Sequence, residues 1–260
     1  MADTKYYSKD NFSLLHGDTL KILPTLPSES FDLIFADPPY FLGKDEWDES
    51  RGVDLDYEFH TKWLSECKKL LKPNGTIWVS GTYHSIYQCG FALQKLGFHI
   101  LNDIAWLKPR SPRVTSHRNI TPTHETLIWA SKSKDAKHTY NYEYMKHATL
   151  KDDFLKLEGE ELKSVWAINA PGGLEKLQGE HSTQKPTQLL KRIILSCTKP
   201  GDSILDPFCG SGTTGIVSHL YGRKFTGIDQ EKKYLDVATR RFCALATNMQ
   251  RRLKSANAVE

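Results

Sequence analysis

The sequence predicts an α/β fold with a mainly parallel, doubly wound sheet, and three observations support this fold class. Apolar strands alternate with amphipathic helical segments along most of the 260 residues. One apolar run ends in the tetrapeptide Asp37-Pro38-Pro39-Tyr40, where two prolines stop the strand. A glycine-rich loop, residues 210–215, stands between a predicted strand and a predicted helix. Ligands of open α/β sheets bind at the carboxyl ends of strands, which is where both motifs fall.

Each element follows from a local pattern. Short apolar runs bounded by turn residues predict strands, at residues 12–16, 31–36, 76–80, 98–106, 124–130, 203–206 and 225–229. Apolar residues at helical spacing predict helices, at residues 20–26, 59–71, 83–96, 186–197, 234–245 and from the glycine loop to 220. No clear helix separates strands 98–106 and 124–130, so one of them is predicted to be antiparallel.

Other segments read as connections. Residues 72–75 form a predicted turn, and the residues from 250 onwards a frayed tail. Residues 41–58 lack periodicity and are mostly acidic in charge. They are predicted to be a loop, either a lid over a cofactor or substrate or an ordinary surface loop.

Composition favours a folded protein that permits, but does not require, a polyanionic partner. Hydrophobic residues make up 39% and the formal charge is +4, with a mean hydropathy of -0.50. Neither a signal peptide nor an apolar stretch of the roughly 18 residues that a membrane span needs is recognisable, so a cytoplasmic location is expected. The five cysteines form no C-x-x-C pair, which favours reduced thiols over a zinc site.

Residues 108–118 and 131–179 interrupt the strand and helix rhythm. The first is basic and proline-containing, and the second is polar with several aromatic residues. Such segments suit contact with a nucleic acid backbone, although a solvated surface explains any single charge equally well. The candidate DNA-binding residues are Lys108, Arg110, Arg113, His117 and Arg118.

The glycine loop fits G-x-G-x-x-G, and Asp229 ends the next predicted strand. Glycines let the backbone approach a ligand closely, and the acid can bind ribose hydroxyls. The same pattern suits a nicotinamide cofactor. The tetrapeptide at residues 37–40 has its own ordinary interpretation, a proline turn with a surface tyrosine. Neither motif decides the function alone.

In combination, the two motifs resemble those of the amino-methylating DNA methyltransferases. Residues 37–40 read D-P-P-Y, and residues 206–212 carry F-x-G-x-G. The order of catalytic motif, insertion and cofactor motif is similar to that of the β class of restriction-modification systems. Residues 181–186 resemble the segment that precedes the cofactor motif in this family. Gly17-Asp18 resembles the turn that contacts the cofactor adenine in the family. The resemblance spans residues 12–245.

This resemblance implies a Rossmann-like sheet that is circularly permuted, with the strands leading to Asp37 and Asp206 adjacent. It implies S-adenosylmethionine as cofactor, double-stranded DNA as partner and a homodimer as a possible assembly. No metal site is expected. The domain organisation expected is a catalytic half (1–107), a target-recognition insertion (108–180, with strand 124–130 in the core sheet), a cofactor-binding half (181–250) and a tail (251–260).

The resemblance also implies roles for individual residues. The methionine end of the cofactor would contact Asp206, Phe208, Gly210, Ser211, Gly212 and Thr213, with Lys185 near its carboxylate. Asp229 would bind the ribose and Asp18 the adenine. The alternative role of the two aspartates is to stabilise turns at the strand ends, and that of Lys185 is to lie in solvent at the start of a helix. Cys209 is expected to contribute packing alone.

The reaction explains the catalytic residue types. An adenine N6 amine is a poor nucleophile because its lone pair is delocalised into the ring. The Asp37 carboxylate and the Pro38 carbonyl can each accept one of its hydrogens and stabilise the developing positive charge. Tyr40 can stack on the base once the base has left the duplex, and Pro39 fixes the turn. Methyl transfer is then a direct in-line displacement, with no covalent enzyme intermediate.

The predicted function is therefore a site-specific DNA methyltransferase that forms N6-methyladenine. N4 methylation of cytosine poses the same chemical problem and stays an alternative, with D-P-P-Y leaning toward adenine in the family. A nicotinamide-dependent oxidoreductase or a non-catalytic nucleic acid binding module leaves one or both motifs unexplained. The recognition sequence is not predictable, because base readout depends on which side chains reach the groove edges.

Overall fold

The computed structural model describes residues 4–43, 48–109, 118–150, 155–179 and 181–257. Its strands, in chain order, are β1 Lys5–Lys9, β2 Phe12–His16, β3 Phe31–Ala36, β4 Leu71–Gly81, β5 His99–Leu107, β6 His124–Ser131, β7 Val165–Ala167, β8 Ser203–Asp206 and β9 Lys224–Asp229. Its helices are α1 Thr19–Ile22, α2 Val53–Leu70, α3 Ile86–Lys95, α4 Tyr142–His147, α5 Thr187–Cys197, α6 Thr213–Leu220 and α7 Lys232–Asn257.

The nine described strands form one sheet in the order β1-β2-β9-β8-β3-β4-β6-β5-β7. β2, β9, β8, β3 and β4 run parallel. β6 is antiparallel to both of its neighbours, β4 and β5, which confirms the predicted antiparallel strand. β8 lies between β9 and β3 although it comes late in the chain, as expected for a circularly permuted sheet. The edge strand β1, which the sequence did not predict, pairs with β2 and adds a third antiparallel pairing to the described sheet.

Helices cover both faces of the sheet, because its strands present apolar side chains in both directions. In β3, Leu33 and Phe35 belong to one buried cluster, and Ile34 and Ala36 belong to the other. The first cluster includes side chains of α5, α6 and α7. The second includes side chains of α1, α2 and α3. This double burial explains why the strand reads as a continuous apolar run.

Two predicted connections are wrong. α2 begins at Val53 rather than at residue 59, so the loop predicted at 41–58 is shorter. In the first turn of α2 the apolar residues Val53 and Leu55 are exposed, so no buried apolar period marks its start. Its start is fixed by the buried Asp56, which accepts bonds from the Arg51 amide at 3.0 Å and the Ser50 hydroxyl at 2.6 Å. Residues 72–75, predicted as a turn, lie within β4, where the ladder shifts register opposite β3.

The segment predicted to lack regular structure contains α4 and β7, and β7 joins the edge of the sheet beside β5. Strands of three residues carry too little pattern to be recognised. At the other end, α7 continues to Asn257, beyond the predicted helix end and into the predicted tail. In the described part of the chain, no helix is long and apolar enough to cross a membrane.

Candidate active site

The carboxyl ends of β3, β8 and β9 place three acids along one edge of the sheet. Asp206 and Asp229 are the last residues of β8 and β9, and Asp37 directly follows β3. Asp37 and Asp229 line a cavity of about 430 Å³ above this edge. Asp206 is 2% exposed and lies beneath it. The adjacency of β3 and β8 thus brings the two sequence motifs to one site.

The side chain of Asp37 is fully engaged. Its Oδ1 accepts a hydrogen bond from the Tyr40 hydroxyl at 2.5 Å, and its Oδ2 accepts one from Lys185 Nζ, also at 2.5 Å. Burial raises the pKa of Asp37, although the Lys185 ammonium acts in the opposite direction. Burial and the neighbouring carboxylates hold the pKa of Tyr40 well above its usual range. Tyr40 is therefore a neutral hydroxyl donor beside an acid.

Asp48 fixes the backbone after the proline pair. Its carboxylate is 3% exposed and accepts bonds from the amides of Tyr40 at 2.7 Å, Phe41 at 2.8 Å and Leu42 at 3.0 Å. Phe41 adopts a φ of 59°, which is costly for a bulky residue. Three charge-assisted bonds to one buried acceptor offset that cost and fix the direction in which Tyr40 leaves the strand.

Four charged side chains form what we call the charge cluster: Asp37, Lys185, Glu125 and Lys108. Glu125 Oε1 accepts a bond from Lys108 Nζ. Glu125 Oε2 lies 3.3 Å from the Tyr40 hydroxyl and 3.7 Å from Lys185 Nζ. Lys185 thus lies between the two acids, whereas Lys108 pairs with Glu125. The two ammonium groups balance the two carboxylates, so the cluster as a whole is neutral.

The antiparallel direction of β6 explains how Glu125 reaches the site. Glu125 is the second residue of β6, and its strand starts where its neighbours end. Lys108 directly follows β5 and lies 4.6 Å from the centre of the Trp106 ring. Burial alone would raise the pKa of Glu125, but Lys185 and Lys108 lower it below its usual range. Burial would lower the pKa of Lys185, but the two carboxylates raise it.

The glycine loop is shaped by close contacts that only glycine permits. Gly210 has a φ of 48° and Gly212 a φ of 74°, both in the left-handed region. A Cβ on Gly210 would lie 2.9 Å from His181 Nε2, and one on Gly212 would lie 2.7 Å from the Cβ of Ala238. The two glycines therefore let the loop lie against the segment before α5 and against α7.

The remaining polar residues of the loop are held from α7 and from the strand ends. Arg241 donates to the Ser211 carbonyl at 2.6 Å and to the Thr213 hydroxyl at 2.9 Å. The Gly210 amide donates to Asp229 at 2.8 Å. Asp206 accepts bonds from the Thr214 hydroxyl at 2.5 Å and the Phe208 amide at 3.1 Å. These bonds hold the loop in place.

Burial also shifts the pKa values of the acids at the ends of β8 and β9. It raises the pKa of Asp206 to about 7 and that of Asp229 to about 6. Both acids accept hydrogen bonds that act in the opposite direction. Asp18 stands at the other side of the cavity, where it caps α1 by accepting the Leu20 amide at 2.9 Å. The Phe208 ring completes the wall and packs edge-on against Trp63 at 5.3 Å.

The predicted site residues are only partly brought together. Those of the two motifs share the sheet edge, together with Asp18. Lys185, predicted near the cofactor carboxylate, places its ammonium on Asp37. Lys108, predicted to contact DNA, points into the charge cluster. Of the other DNA-binding candidates, Arg118 is exposed, and Arg110, Arg113 and His117 lie outside the described residues.

Sequence reasoning missed Glu125, Asp48, Ser80 and His181. Glu125 carried a signal, an acid at the start of an otherwise apolar strand. Ser80, fully buried in β4, lies 3.2 Å from the Tyr40 hydroxyl. His181 packs on Tyr234 at 4.0 Å, and burial lowers its pKa to about 4. Among the described residues, no group of His, Cys, Asp and Glu side chains is arranged to hold a metal ion.

Comparison with known proteins identifies the family of the chain. A sequence model of the N6/N4 methyltransferase family, described as DNA methylase, matches residues 31–240. The Type II methyltransferase M2.DpnII of Streptococcus pneumoniae is 45% identical over 252 residues, which cover 91% of each chain. The Type II methyltransferase M.HinfI of Haemophilus influenzae is 42% identical over 91% of this chain and 69% of its own.

Solved structures show the same fold. The structure of an M1.HpyAVI-SAM complex superposes with a TM-score of 0.66 at 29% identity and covers 88% of this chain and 97% of that one. The PvuII DNA methyltransferase, named as cytosine-N4-specific, superposes with a TM-score of 0.76 over 93% of this chain and 89% of its own. Because the two sequences are only 20% identical, this likeness concerns the fold alone.

The family model, which matches residues 31–240, places the protein in the class of amino-methylating DNA methylases. The chain belongs to the DNA methylase family, as an enzyme of the Type II, restriction-modification kind.

Proposed function

We propose that the protein transfers a methyl group from S-adenosylmethionine to the N6 amine of an adenine in double-stranded DNA. It would serve as the modification enzyme of a restriction-modification system. The observation that carries the proposal is the position of Asp37, whose side chain is 14% exposed and lies on the wall of the cavity that Asp229 also lines. One cavity can then hold both the amine and the methyl donor.

The residues of the cavity fit this cofactor. Its volume of about 430 Å³ lies in the range of roughly 300–1,000 Å³ that small-molecule sites occupy. Gly210 packs on His181, which lines the cavity, and leaves no space there for a Cβ. Asp18 and Asp229 offer carboxylates to amine and hydroxyl groups, and Phe208 offers an apolar face.

When bound, S-adenosylmethionine supplies a methyl group on a positively charged sulfur. We assign its methionine end to the glycine loop, with Asp206 held below that loop by Thr214, its ribose to Asp229 and its adenine to Asp18. The Lys185 ammonium is engaged by Asp37 and Glu125. We therefore assign Lys185 to the amine side of the site rather than to the cofactor carboxylate.

The chain's own groups would activate the amine. The Asp37 carboxylate and the Pro38 carbonyl accept its two hydrogens, which localises the nitrogen lone pair and stabilises the charge that develops on nitrogen. Tyr40, which lines the cavity, would hold the flipped base by stacking. Pro39 keeps the turn rigid, and Asp48 holds the backbone amides on its far side.

The direct test uses methyl-labelled S-adenosylmethionine and duplex DNA of mixed sequence. Wild-type protein should label the DNA, and Asp37→Ala should bind the cofactor normally in calorimetry but transfer no label. Label that appears in RNA or protein but not in DNA would refute the substrate. Full turnover by Asp37→Ala would refute the catalytic role of Asp37.

We assign the DNA contact to the basic residues that follow β5 in the sequence, of which Arg118 is described and exposed. A homodimer is the assembly that the resemblance implies. The surface we assign to it spans α2 and α3, where Val53 is 74% exposed, Tyr87 75% and Phe91 51%. Sedimentation of wild type should give a dimer that Tyr87→Lys with Phe91→Lys converts to a monomer, whereas a monomeric wild type would reject this assembly.

A further inference from the structure

The charge cluster contains two acids that compete for the same two donors. The Tyr40 hydroxyl lies 2.5 Å from Asp37 Oδ1 and 3.3 Å from Glu125 Oε2. The Lys185 ammonium lies 2.5 Å from Asp37 Oδ2 and 3.7 Å from the same Glu125 oxygen. Both donors are therefore on Asp37, with Glu125 placed close enough to receive either one after a small movement.

Amine binding makes this competition important. A carboxylate oxygen that accepts a hydrogen from the amine must give up part of its bonding to a protein donor, or accept two donors at once. A donor released from Asp37 into a buried site needs another acceptor, since an unpaired buried ammonium or hydroxyl is costly. Glu125 is the acid in reach of both donors, and it is 8% exposed.

We propose that Glu125 is a positioning residue of methyl transfer, which takes over the Tyr40 hydroxyl and the Lys185 ammonium as Asp37 engages the substrate amine. Lys108, on the other oxygen of Glu125, keeps the Glu125 carboxylate fixed and ionised for this exchange. Lys185 remains between the two acids throughout, so no charge leaves the cluster. This inference rests on the proposed function of Asp37.

The charges around Asp37 decide the sign of each test. Lys185 faces it from the segment before α5, Glu125 from β6 and Tyr40 from its own loop, and Asp206 lies near it at the end of β8. Removing the Lys185 charge destabilises the ionised Asp37. Removing the Glu125 charge removes a repulsion and leaves Lys185 held by Asp37 alone. The two substitutions must therefore shift the pKa of Asp37 in opposite directions.

The experiment compares Glu125→Gln and Lys185→Met with wild type in single-turnover methyl transfer across pH. For Glu125→Gln we expect a maximal rate lower by about 10 to 100-fold, because Lys185 stays on Asp37. The acid limb of its pH–rate profile should move to lower pH by about one unit, since a charge this close shifts the pKa of a carboxyl group by roughly 1–3 units. The acid limb of Lys185→Met should move to higher pH. Glu125→Asp should restore the position of the limb.

A second readout needs neither cofactor nor DNA. Carboxyl carbon NMR of the free protein, with the Asp37 signal assigned from Asp37→Asn, follows the titration of Asp37 directly. Glu125→Gln should lower its midpoint and Lys185→Met should raise it. Because this measurement involves no turnover, it tests the charge cluster even if the wild-type protein methylated no DNA, which would refute the proposed function instead.

The control variant is Glu29→Gln, which removes an acid paired with Lys132 at 2.9 Å outside the cavity. It should change neither the rate nor the titration of Asp37. A wild-type rate and pH profile in Glu125→Gln would overturn the proposal, as would limbs that shift in the same direction in both variants. If Glu125→Gln fails to fold, Glu125→Asp alone decides: a wild-type maximal rate would contradict the proposed exchange, and a reduced rate with an unshifted limb would support it.

Discussion

Asp48 offers the sharpest test of how the loop after Asp37 is built. Its carboxylate accepts the backbone amides of Tyr40, Phe41 and Leu42 at 2.7, 2.8 and 3.0 Å. Oδ1 accepts the first two and Oδ2 accepts the third. Asp48→Ala removes all three bonds. Asp48→Asn keeps the shape and one acceptor oxygen but loses the charge.

The magnitude follows from the bonds lost. A hydrogen bond to a charged group contributes about 1.5–3 kcal/mol, and relaxation of the loop toward water recovers part of the sum for three bonds. We therefore expect Asp48→Ala to disfavour the ordered loop by about 3 kcal/mol. At about 1.4 kcal/mol for each factor of ten, kcat/KM should fall roughly 100-fold. Asp48→Asn should cost about 1 kcal/mol, or roughly fivefold.

The assay is methyl transfer to duplex DNA under kcat/KM conditions, together with urea unfolding. The control is Asp202→Ala, which removes one carboxylate bond to the Lys199 amide, 2.7 Å long, at the amino end of β8. That control should leave kcat/KM unchanged. The reasoning fails if Asp48→Ala retains wild-type kcat/KM, or if Asp48→Asn is more damaging than Asp48→Ala.

Three further predictions concern the glycine loop, the buried acid and the DNA contact. Gly212→Ala should lower the free energy of unfolding in urea by about 2–4 kcal/mol, because it adds overpacking against α7 to left-handed strain. Gly159→Ala, with a φ of 81° and nothing within 4 Å, should lose only about 1 kcal/mol, and equal losses would contradict the packing argument. The raised pKa of Asp206, about 7, means that its stabilising contribution is complete below its unfolded pKa of about 4 and is lost as pH rises through 7. The free energy of unfolding of wild type, measured relative to that of Asp206→Asn, should thus fall by up to about 4 kcal/mol between pH 4 and pH 7. A difference between the two proteins that does not change with pH would contradict the buried acid. Arg118→Ala should reduce the slope of log affinity for duplex DNA against log salt by about 1, and an unchanged slope would remove Arg118 from the interface.

The sequence predicted the parts of the fold that local pattern determines. β3, β8 and β9 are short apolar runs with buried faces on both sides, and each ends at or directly before an acid of the site, so both their existence and their ends were recognisable. The sheet order came from the resemblance, because nothing local states that β8 inserts between β9 and β3. The start of α2 was missed since its first turn faces solvent and is fixed by Asp56 instead of by apolar spacing.

The site was predictable where its residues are contiguous in sequence and not where they meet across the fold. Asp37 and Tyr40 lie in one motif, but Lys185 is 148 positions from Asp37, and spacing cannot indicate that they pair. Lys108 belongs to a basic segment of the kind that contacts DNA, yet the antiparallel pairing of β5 and β6 brings its side chain onto Glu125. Charge alone therefore could not separate an interface lysine from one that supports the active site.

The most direct test of the central claim is to identify the methylated base. Duplex DNA methylated by the purified protein is hydrolysed to nucleosides, which are separated and weighed by mass spectrometry. The account predicts N6-methyldeoxyadenosine that depends on S-adenosylmethionine and is absent with Asp37→Ala. N4-methyldeoxycytidine as the product, or DNA that carries no methylated nucleoside at all, would contradict it.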